Sequence, residues 1–363
     1  MEKNLGIDPI LKLIDKHKIL YIKTLMSSKS KTVFVTGVAG FLGSHLAEKL
    51  VDMGHKIIGI DNMLGGYEDN VPENIEFHKV DCCDFEKIKT LMKGVDIVYH
   101  CAATAHEGLS VFSPFEITKN NYLASVSIFS AAVNENVKRI IFCSSMARYG
   151  GQQTPFKEEM KPMPVDPYAI SKVASEEVLK NLCDLNNIEW VIAVPHNIIG
   201  PRQKYDDPFR NVVSIMINRM MQGKAPIIYG DGKQTRCFSY IDDCLSCLIP
   251  MLDQKDLNKQ TINIGPDEEF VTINKIAEIC SNLTGVNLEP IHKKDRPKEV
   301  KHATCSADKA RKLLNYKTSV SLQHGIKKTY EYIKKRGTRP FDYNINIEID
   351  NELTPSTWKN KEI

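Results

Sequence analysis

From Lys31 onward the chain repeats one pattern: a short run rich in β-branched residues, then a longer segment with apolar residues at helical spacing. The runs are Thr32–Thr36, Lys56–Asp61, Ile75–Asp81, Asp96–Ala103, Arg139–Ser145 and Trp190–Pro195. Parallel strands need a helix-length crossover between them, and helices packed on both faces make each strand read as nearly continuous apolar sequence. Six such runs therefore predict an α/β fold built on a doubly wound parallel sheet. With 363 residues, 42% of them hydrophobic, the chain is long enough for that sheet and a smaller second body.

The regularity weakens beyond Ile198, where prolines at 201, 208 and 226 and the turn Tyr229-Gly230-Asp231-Gly232 suit a smaller C-terminal substrate-binding lobe. Thr261–Gly265 is again strand-like, and helical patterns follow near Asn274–Leu283 and Ala307–Leu314. The expected organisation is a helical extension over residues 1–30, with Asp8 as N-cap and Pro9 in its first turn. A Rossmann-type domain follows over 31–197, with 233–265 returning to it; segments 198–232 and 266–336 form the lobe; an extended tail occupies 337–363. In that tail Tyr343, Ile345, Ile347 and Ile349 alternate with polar residues, which predicts a strand laid on the body or on a neighbouring subunit.

The 48 lysines and arginines and 45 acidic residues are interspersed and leave a formal charge of +3, so no field favours nucleic acid or a membrane surface. No run approaches the roughly 18 uncharged apolar residues that span a bilayer. Ten cysteines without framework spacing suit a reducing compartment, and the cytoplasm is the expected location. Cys244 and Cys247 form the one Cys-x-x-Cys pair, but in an apolar, helix-like stretch that reads as packing, so no metal is expected.

The first strand runs into Gly37-Val38-Ala39-Gly40-Phe41-Leu42-Gly43, with a helical pattern directly behind it. Glycines at that spacing let the backbone turn tightly and approach a pyrophosphate, whose charge rests on the helix N-terminus. The second strand ends at Asp61, where a carboxylate can accept both hydroxyls of an adenosine ribose and repel a 2′-phosphate; this favours NAD over NADP. Asp81, ending the third run, is placed to meet the adenine edge, and Asn62 and Ala102 complete the strand-end residues expected at the cofactor.

The fifth run delivers Ser144 and Ser145, and Tyr168 and Lys172 lie four residues apart on a predicted helix, sharing one face. There an ammonium can lower the pKa of the phenol, a phenol near neutrality can take a proton from a sugar hydroxyl, and Ser145 can share it. With these residues in view the chain resembles the extended short-chain dehydrogenases/reductases of the NAD-dependent nucleotide-sugar epimerase/dehydratase family, over roughly Lys31 to Lys335. The matching stretches are Val35-Thr36-Gly37-Val38-Ala39-Gly40-Phe41-Leu42-Gly43, Ser144-Ser145-Met146-Ala147-Arg148-Tyr149-Gly150, Pro167-Tyr168-Ala169-Ile170-Ser171-Lys172 and Gly230-Asp231-Gly232-Lys233-Gln234-Thr235-Arg236.

The resemblance implies an enzyme that binds NAD and a nucleotide sugar, most often a UDP-sugar, and works as a homodimer. It implies that Asn121 holds Lys172 through its backbone or a water, and that Pro195 and Ile198 line the nicotinamide pocket. Asn197, Arg236 and Arg296 match positions that bind the substrate diphosphate, while Asn211 and Tyr229 would lie along the base and ribose. Members that eliminate water carry Asp-Glu after the catalytic hydroxyl residue; here those positions are Met146 and Ala147, which move no proton. That favours a UDP-sugar 4-epimerase working through a 4-keto sugar. The loop His106-Glu107-Gly108-Leu109-Ser110 differs from the usual epimerase sequence where the family approaches the sugar, so Glu107, Ser110 and Met146 join the expected substrate contacts. Glu107 as an added acid/base would permit a dehydratase or decarboxylase. Arg148 and His196 also depart from the epimerase pattern and point to a different ring substituent. A catalytically silent NAD-binding regulatory protein is the competing class, against which the retention of Ser145, Tyr168 and Lys172 together counts.

Overall fold

The computed structural model describes residues 30–363; the helix expected over residues 1–30 falls almost wholly outside them. Seven parallel strands form the central sheet: β1 (Thr32–Thr36), β2 (Lys56–Asp61), β3 (Glu76–Lys79), β4 (Ile97–His100), β5 (Arg139–Cys143), β6 (Glu189–Pro195) and β7 (Gln260–Ile264). Their order is β7-β6-β5-β4-β1-β2-β3. The chain winds outward from β1 in one direction through β3, then returns and winds the other way from β4. A crevice therefore opens between β1 and β4 at the C-terminal ends of the strands.

Alternation along β1 explains both layers. Val33 and Val35 point to one face and pack with Leu46, Ala47 and Leu50 of α1 (Phe41–Asp52); Phe34 points to the other. There it joins Ile88 of α2 (Phe85–Leu91), Ile128 and Phe129 of α3 (Ala124–Asn134) and Leu179 of α4 (Pro167–Asn186). Cys244 and Cys247 are fully buried on the first face, in the helix α5 (Ile241–Leu248). A third core forms among the helices Val212–Met221, Ile273–Thr284 and Leu322–Arg336, away from the sheet.

One hydrogen-bonded chain crosses the β1/β4 seam. Ala102 N donates to Thr36 Oγ1 (3.0 Å), Thr36 Oγ1 lies 2.8 Å from His100 Nδ1, His100 Nε2 lies 2.9 Å from Ser125 Oγ, and Ser125 Oγ donates to Asn121 O (2.6 Å). The two ends fix every proton between them: Ser125 must accept from Nε2–H, leaving Nδ1 as the acceptor for the threonine hydroxyl. The ring is then neutral, in keeping with burial, which pushes its pKa down to about 3.

The tail does not form the expected strand. Alternation holds from Phe341 to Ile347, with Ile345 buried, but Ile349 is exposed and no ladder forms. The tail meets carbonyls of loops rather than a sheet edge: Asp342 N donates to Asp206 O, and Glu348 N and Ile349 N both donate to Phe112 O. Without a strand alongside, alternating residues bury one side of an irregular chain. The tail ends in the short helix Ser356–Lys359, whose Trp358 is 2% exposed and packs edge-on against Phe209 (5.5 Å) and Phe112 (6.1 Å). Trp358→Ala should therefore lower unfolding stability by about 3–5 kcal/mol, read from the midpoint of urea denaturation; a loss below about 1 kcal/mol would show that the tail rests on the body without stabilising it.

Candidate active site

The crevice at the strand ends is a cleft lined by the glycine loop on one side and by the ends of β4, β5 and β6 on the other. At Gly37, φ is +73° and an added Cβ would stand 2.9 Å from Ala102 Cα across the seam. At Gly43 a Cβ would fall 2.2 Å from Gly37 O, so only glycine lets the first turn of α1 close under the loop. The result is a backbone cradle at a helix N-terminus, which suits an anion.

Asp61 is buried at the end of β2. Oδ2 accepts Ala39 N (3.0 Å) and Oδ1 accepts Met63 N (2.7 Å). Burial raises its pKa while these amides oppose the rise, and each oxygen keeps lone-pair capacity for a ribose hydroxyl. Asn62 Nδ2 donates to Asp81 Oδ2 (2.8 Å), so both reach the cleft as one unit. Phe41, Leu42, Ala102, Pro195, Ile198, Asn197 and Asn211 also line it. The cradle, the Asp61 carboxylate and the apolar strand ends together fit a dinucleotide.

Tyr168 is placed by the start of α4. Asp166 caps the helix by accepting Ala169 N (2.8 Å), Pro167 occupies the first turn, and Lys172 follows one turn later on the same face. Tyr168, Ser145 and Lys172 all line the cleft. Burial pushes the phenol up to about 12, and the Ser145 hydroxyl beside it pulls the other way. The expectation that Lys172 lowers the phenol's pKa is not met here. Its ammonium turns to the end of β5, donating to Cys143 O (2.9 Å) and lying 4.8 Å from the centre of the Phe142 ring. Burial in turn lowers the lysine to about 8.

Several expected contacts are placed elsewhere. Asn121 is buried behind the cleft in a single π-helical turn, Lys119–Leu123, where its side chain holds Thr104 N (3.1 Å) and Thr104 O (3.0 Å). Ser110 Oγ is spent on Glu107 O (2.7 Å) and Asp166 Oδ1 (3.3 Å). Met146 and His196 face each other, with 3.1 Å between Sδ and Nδ1, and burial holds that imidazole down to about 4. Arg148 is buried in an ion pair with Glu176 (2.8 Å), whose other oxygen takes the Ser144 hydroxyl, so it braces the β5 turn and does not reach a sugar. Arg296 donates to both oxygens of Glu299 (3.2 and 3.0 Å) and stacks on Tyr229 at 4.8 Å; Arg236 stands 3.6 Å from the same carboxylate. None of these three is among the residues lining the cleft, although both arginines are near enough to Glu107 for their charges to act on its carboxyl; Tyr229 is tied to Thr357 of the tail (2.6 Å).

Glu107 projects into the cleft. The side chain is exposed to the cleft, yet desolvation by the flanking protein, with Asp166 adding to it and Arg236 and Arg296 opposing it, pushes its carboxyl above the usual carboxylate range. Sequence reading missed Arg210 and Asp207. They sit in the loop after β6, where Asp207 accepts from His106 Nε2 (2.7 Å) across 101 residues of sequence, and no local motif marks that contact.

A dinucleotide cradle with tyrosine, serine and lysine at its inner end defines an enzyme of the short-chain dehydrogenase/reductase class. More narrowly, residues 33–265 match the NAD dependent epimerase/dehydratase family, and the chain belongs to it. It is 30% identical over 320 residues to the UDP-N-acetyl-alpha-D-glucosaminuronate decarboxylase of Bacillus cytotoxicus, covering 84% of this chain and 98% of that one. Among solved structures it resembles the UDP-N-acetylglucosamine 4-epimerase of Methanobrevibacter ruminantium in complex with UDP-N-acetylmuramic acid (TM-score 0.79, 31% identity, 85% and 100% covered). It likewise resembles the UDP-glucuronic acid 4-epimerase of Bacillus cereus in complex with UDP-glucuronic acid and NAD (TM-score 0.78, 29% identity, 84% and 100% covered). NAD is the cofactor of this family. No helix among the described residues is long and apolar enough to cross a membrane.

The depressed Lys172 makes a test with a definite sign. Its pKa falls from an ordinary 10.5 to about 8 on folding, so between those values the unfolded chain binds more protons. This group then makes the folded state gain stability as pH rises through the window. Urea denaturation from pH 8 to 10.5 should show the wild type gaining stability relative to Lys172→Met; parallel curves would mean that the lysine is not desolvated.

Proposed function

We propose that this chain is an NAD-dependent UDP-sugar 4-epimerase. The observation that carries the reading is that Tyr168, Ser145 and Lys172 stand in one cleft with the dinucleotide cradle, while Met146 and Ala147 offer no acid/base pair for elimination. The glycine loop and the N-terminus of α1 would hold the cofactor diphosphate, Asp61 the adenosine ribose, and Pro195 and Ile198 the nicotinamide. NAD supplies the hydride acceptor for the sugar's carbon 4 and the donor that returns it.

The protein's own groups move the proton. Ser145 and Tyr168 take it from the 4-hydroxyl and give it back after the ring has presented its other face. Burial favours the neutral Tyr168, the form that holds a proton for return to the sugar, while the Ser145 hydroxyl favours the phenolate that accepts it. Arg236, Arg296 and Asn197 would hold the substrate diphosphate, the arginines by exchanging Glu299 for phosphate oxygens. Dimerisation and a cytoplasmic location accompany this reading as family expectations.

A second reading has one observation in its favour: Glu107, raised to about 7 in the same cleft, is a carboxyl able to donate and accept a proton near neutrality, as a decarboxylase would require. Incubation with a panel of UDP-sugars and NMR of the products separates the two. A 4-stereoisomer supports epimerisation, whereas loss of carbon dioxide supports the alternative. Tyr168→Phe should reduce turnover by roughly 10²–10⁴-fold; a variant that keeps full rate would remove the phenol from the mechanism.

A further inference from the structure

The groups assigned above leave Arg210 unexplained. It follows Asp206-Asp207-Pro208-Phe209 in the loop after β6, and its side chain lines the cleft. It is close enough to Tyr168 for its charge to favour the phenolate. It also reaches the loop after β2, since a Cβ on Gly65 would meet one of its terminal nitrogens at 3.9 Å. The guanidinium therefore lines the cleft between the phenol and the loop after β2.

Its hydrogen-bonding capacity is unspent. Nε is buried without a hydrogen-bond partner, and the nearest carboxylate oxygen, Asp207 Oδ2, stands off at 3.5 Å. That oxygen already accepts from His106 Nε2 at 2.7 Å, and Asp207 Oδ1 accepts Phe209 N at 2.9 Å. His106 is itself 4% exposed, lines the same cleft, and has its Nδ1 buried and unpartnered. One carboxylate thus ties His106 and Arg210 to the same corner of the cleft: the imidazole that gives its Nε2 proton to Asp207 keeps Nδ1 as an acceptor, and the guanidinium keeps donors the protein does not satisfy. Such an arrangement is expected where a ligand supplies the missing acceptor. A planar guanidinium fork is matched best by a carboxylate or a phosphate.

We propose that the sugar end of the cleft is built for an acidic sugar, with Arg210, positioned by Asp207, receiving a carboxylate carried on the sugar ring. The proposal rests on the nucleotide-sugar reading and narrows it. A neutral sugar would leave the guanidinium's hydrogen-bond donors without an acceptor, since Asp207 supplies only a charge at 3.5 Å. Glu107 shares this end, but its carboxyl is raised above the usual range and a neighbouring anion would raise it further, so it opposes an acidic ligand less than an ordinary carboxylate. The other anion within reach of this loop is the diphosphate of the cofactor or of the substrate, and the test separates these sources.

The NAD-loaded protein carrying Tyr168→Phe, to stop turnover, would be titrated calorimetrically with UDP-glucuronate, UDP-glucose and UDP. UDP-glucuronate is expected to bind at least tenfold more tightly than UDP-glucose. Adding Arg210→Gln should bring that ratio to about one, and Arg210→Lys, which keeps the charge but loses the fork, should leave it in between. Thermal melting of each variant checks that it is folded. Equal binding of the two sugars by the parent overturns the proposal. So does an equal loss of UDP-glucose and UDP-glucuronate in Arg210→Gln, which places the guanidinium on the substrate diphosphate, or a loss of bound NAD, which places it on the cofactor. These outcomes leave the epimerase reading intact. That reading fails separately, and takes this inference with it, if the protein with Tyr168 intact converts no nucleotide sugar and binds none of the three ligands.

Discussion

Everything at the site depends on the seam between β1 and β4. Parallel register there puts Thr36 opposite His100, and the threonine hydroxyl joins the backbone of Ala102 to the imidazole of His100. Because the proton order in that chain is fixed from both ends, the two strand ends cannot slide apart without leaving buried polar groups unpaired. The glycine loop leaves from one side of the seam, and the wall carrying Ala102 to Glu107 leaves from the other. The approach of Gly37 to Ala102, which any side chain would block, is possible only while this register holds.

A second constraint supports the reacting serine. The turn after β5 is held from below by Ser144 and Arg148, which share the buried Glu176 of α4. Removing one partner of a buried pair leaves a charge without compensation, which costs about 3–5 kcal/mol. The same helix carries Tyr168 and Lys172, so one buried carboxylate links the serine's turn to the helix of the phenol. The distance between the two hydroxyl-bearing groups is thereby set by packed structure and not by loop flexibility.

Much of this was legible in the sequence wherever the information is local. The runs Thr32–Thr36 and Lys56–Asp61 are strands over those same residues, since each ends in a glycine or an aspartate that leaves the ladder at once. The third, fourth and fifth strands are shorter than their apolar runs, because the chain leaves the sheet while still extended and forms the rim of the cleft: Cys101–Ala103 and Ser144-Ser145 are that rim. Contiguous motifs located the glycine loop, Asp61 and the Tyr168–Lys172 pair for the same reason. What failed was side-chain direction. Met146, Arg148 and His196 stand next to site residues in sequence but point into the core, and Lys172 turns toward Cys143 instead of the phenol. The tail's alternation was real, but a strand needs an edge to pair with, and periodicity carries no information about one.

The double duty of Asp61 has a wider meaning. The carboxylate proposed to receive the ribose also holds the amides of Ala39 and Met63, so it shapes the glycine loop proposed to cradle the diphosphate. A descendant of this protein could not adopt a phosphorylated dinucleotide merely by shedding that negative charge, because the loop would lose its anchor in the same event. The choice of electron carrier is in effect written into the folding of the chain, and changing it would require a second tether to arise first.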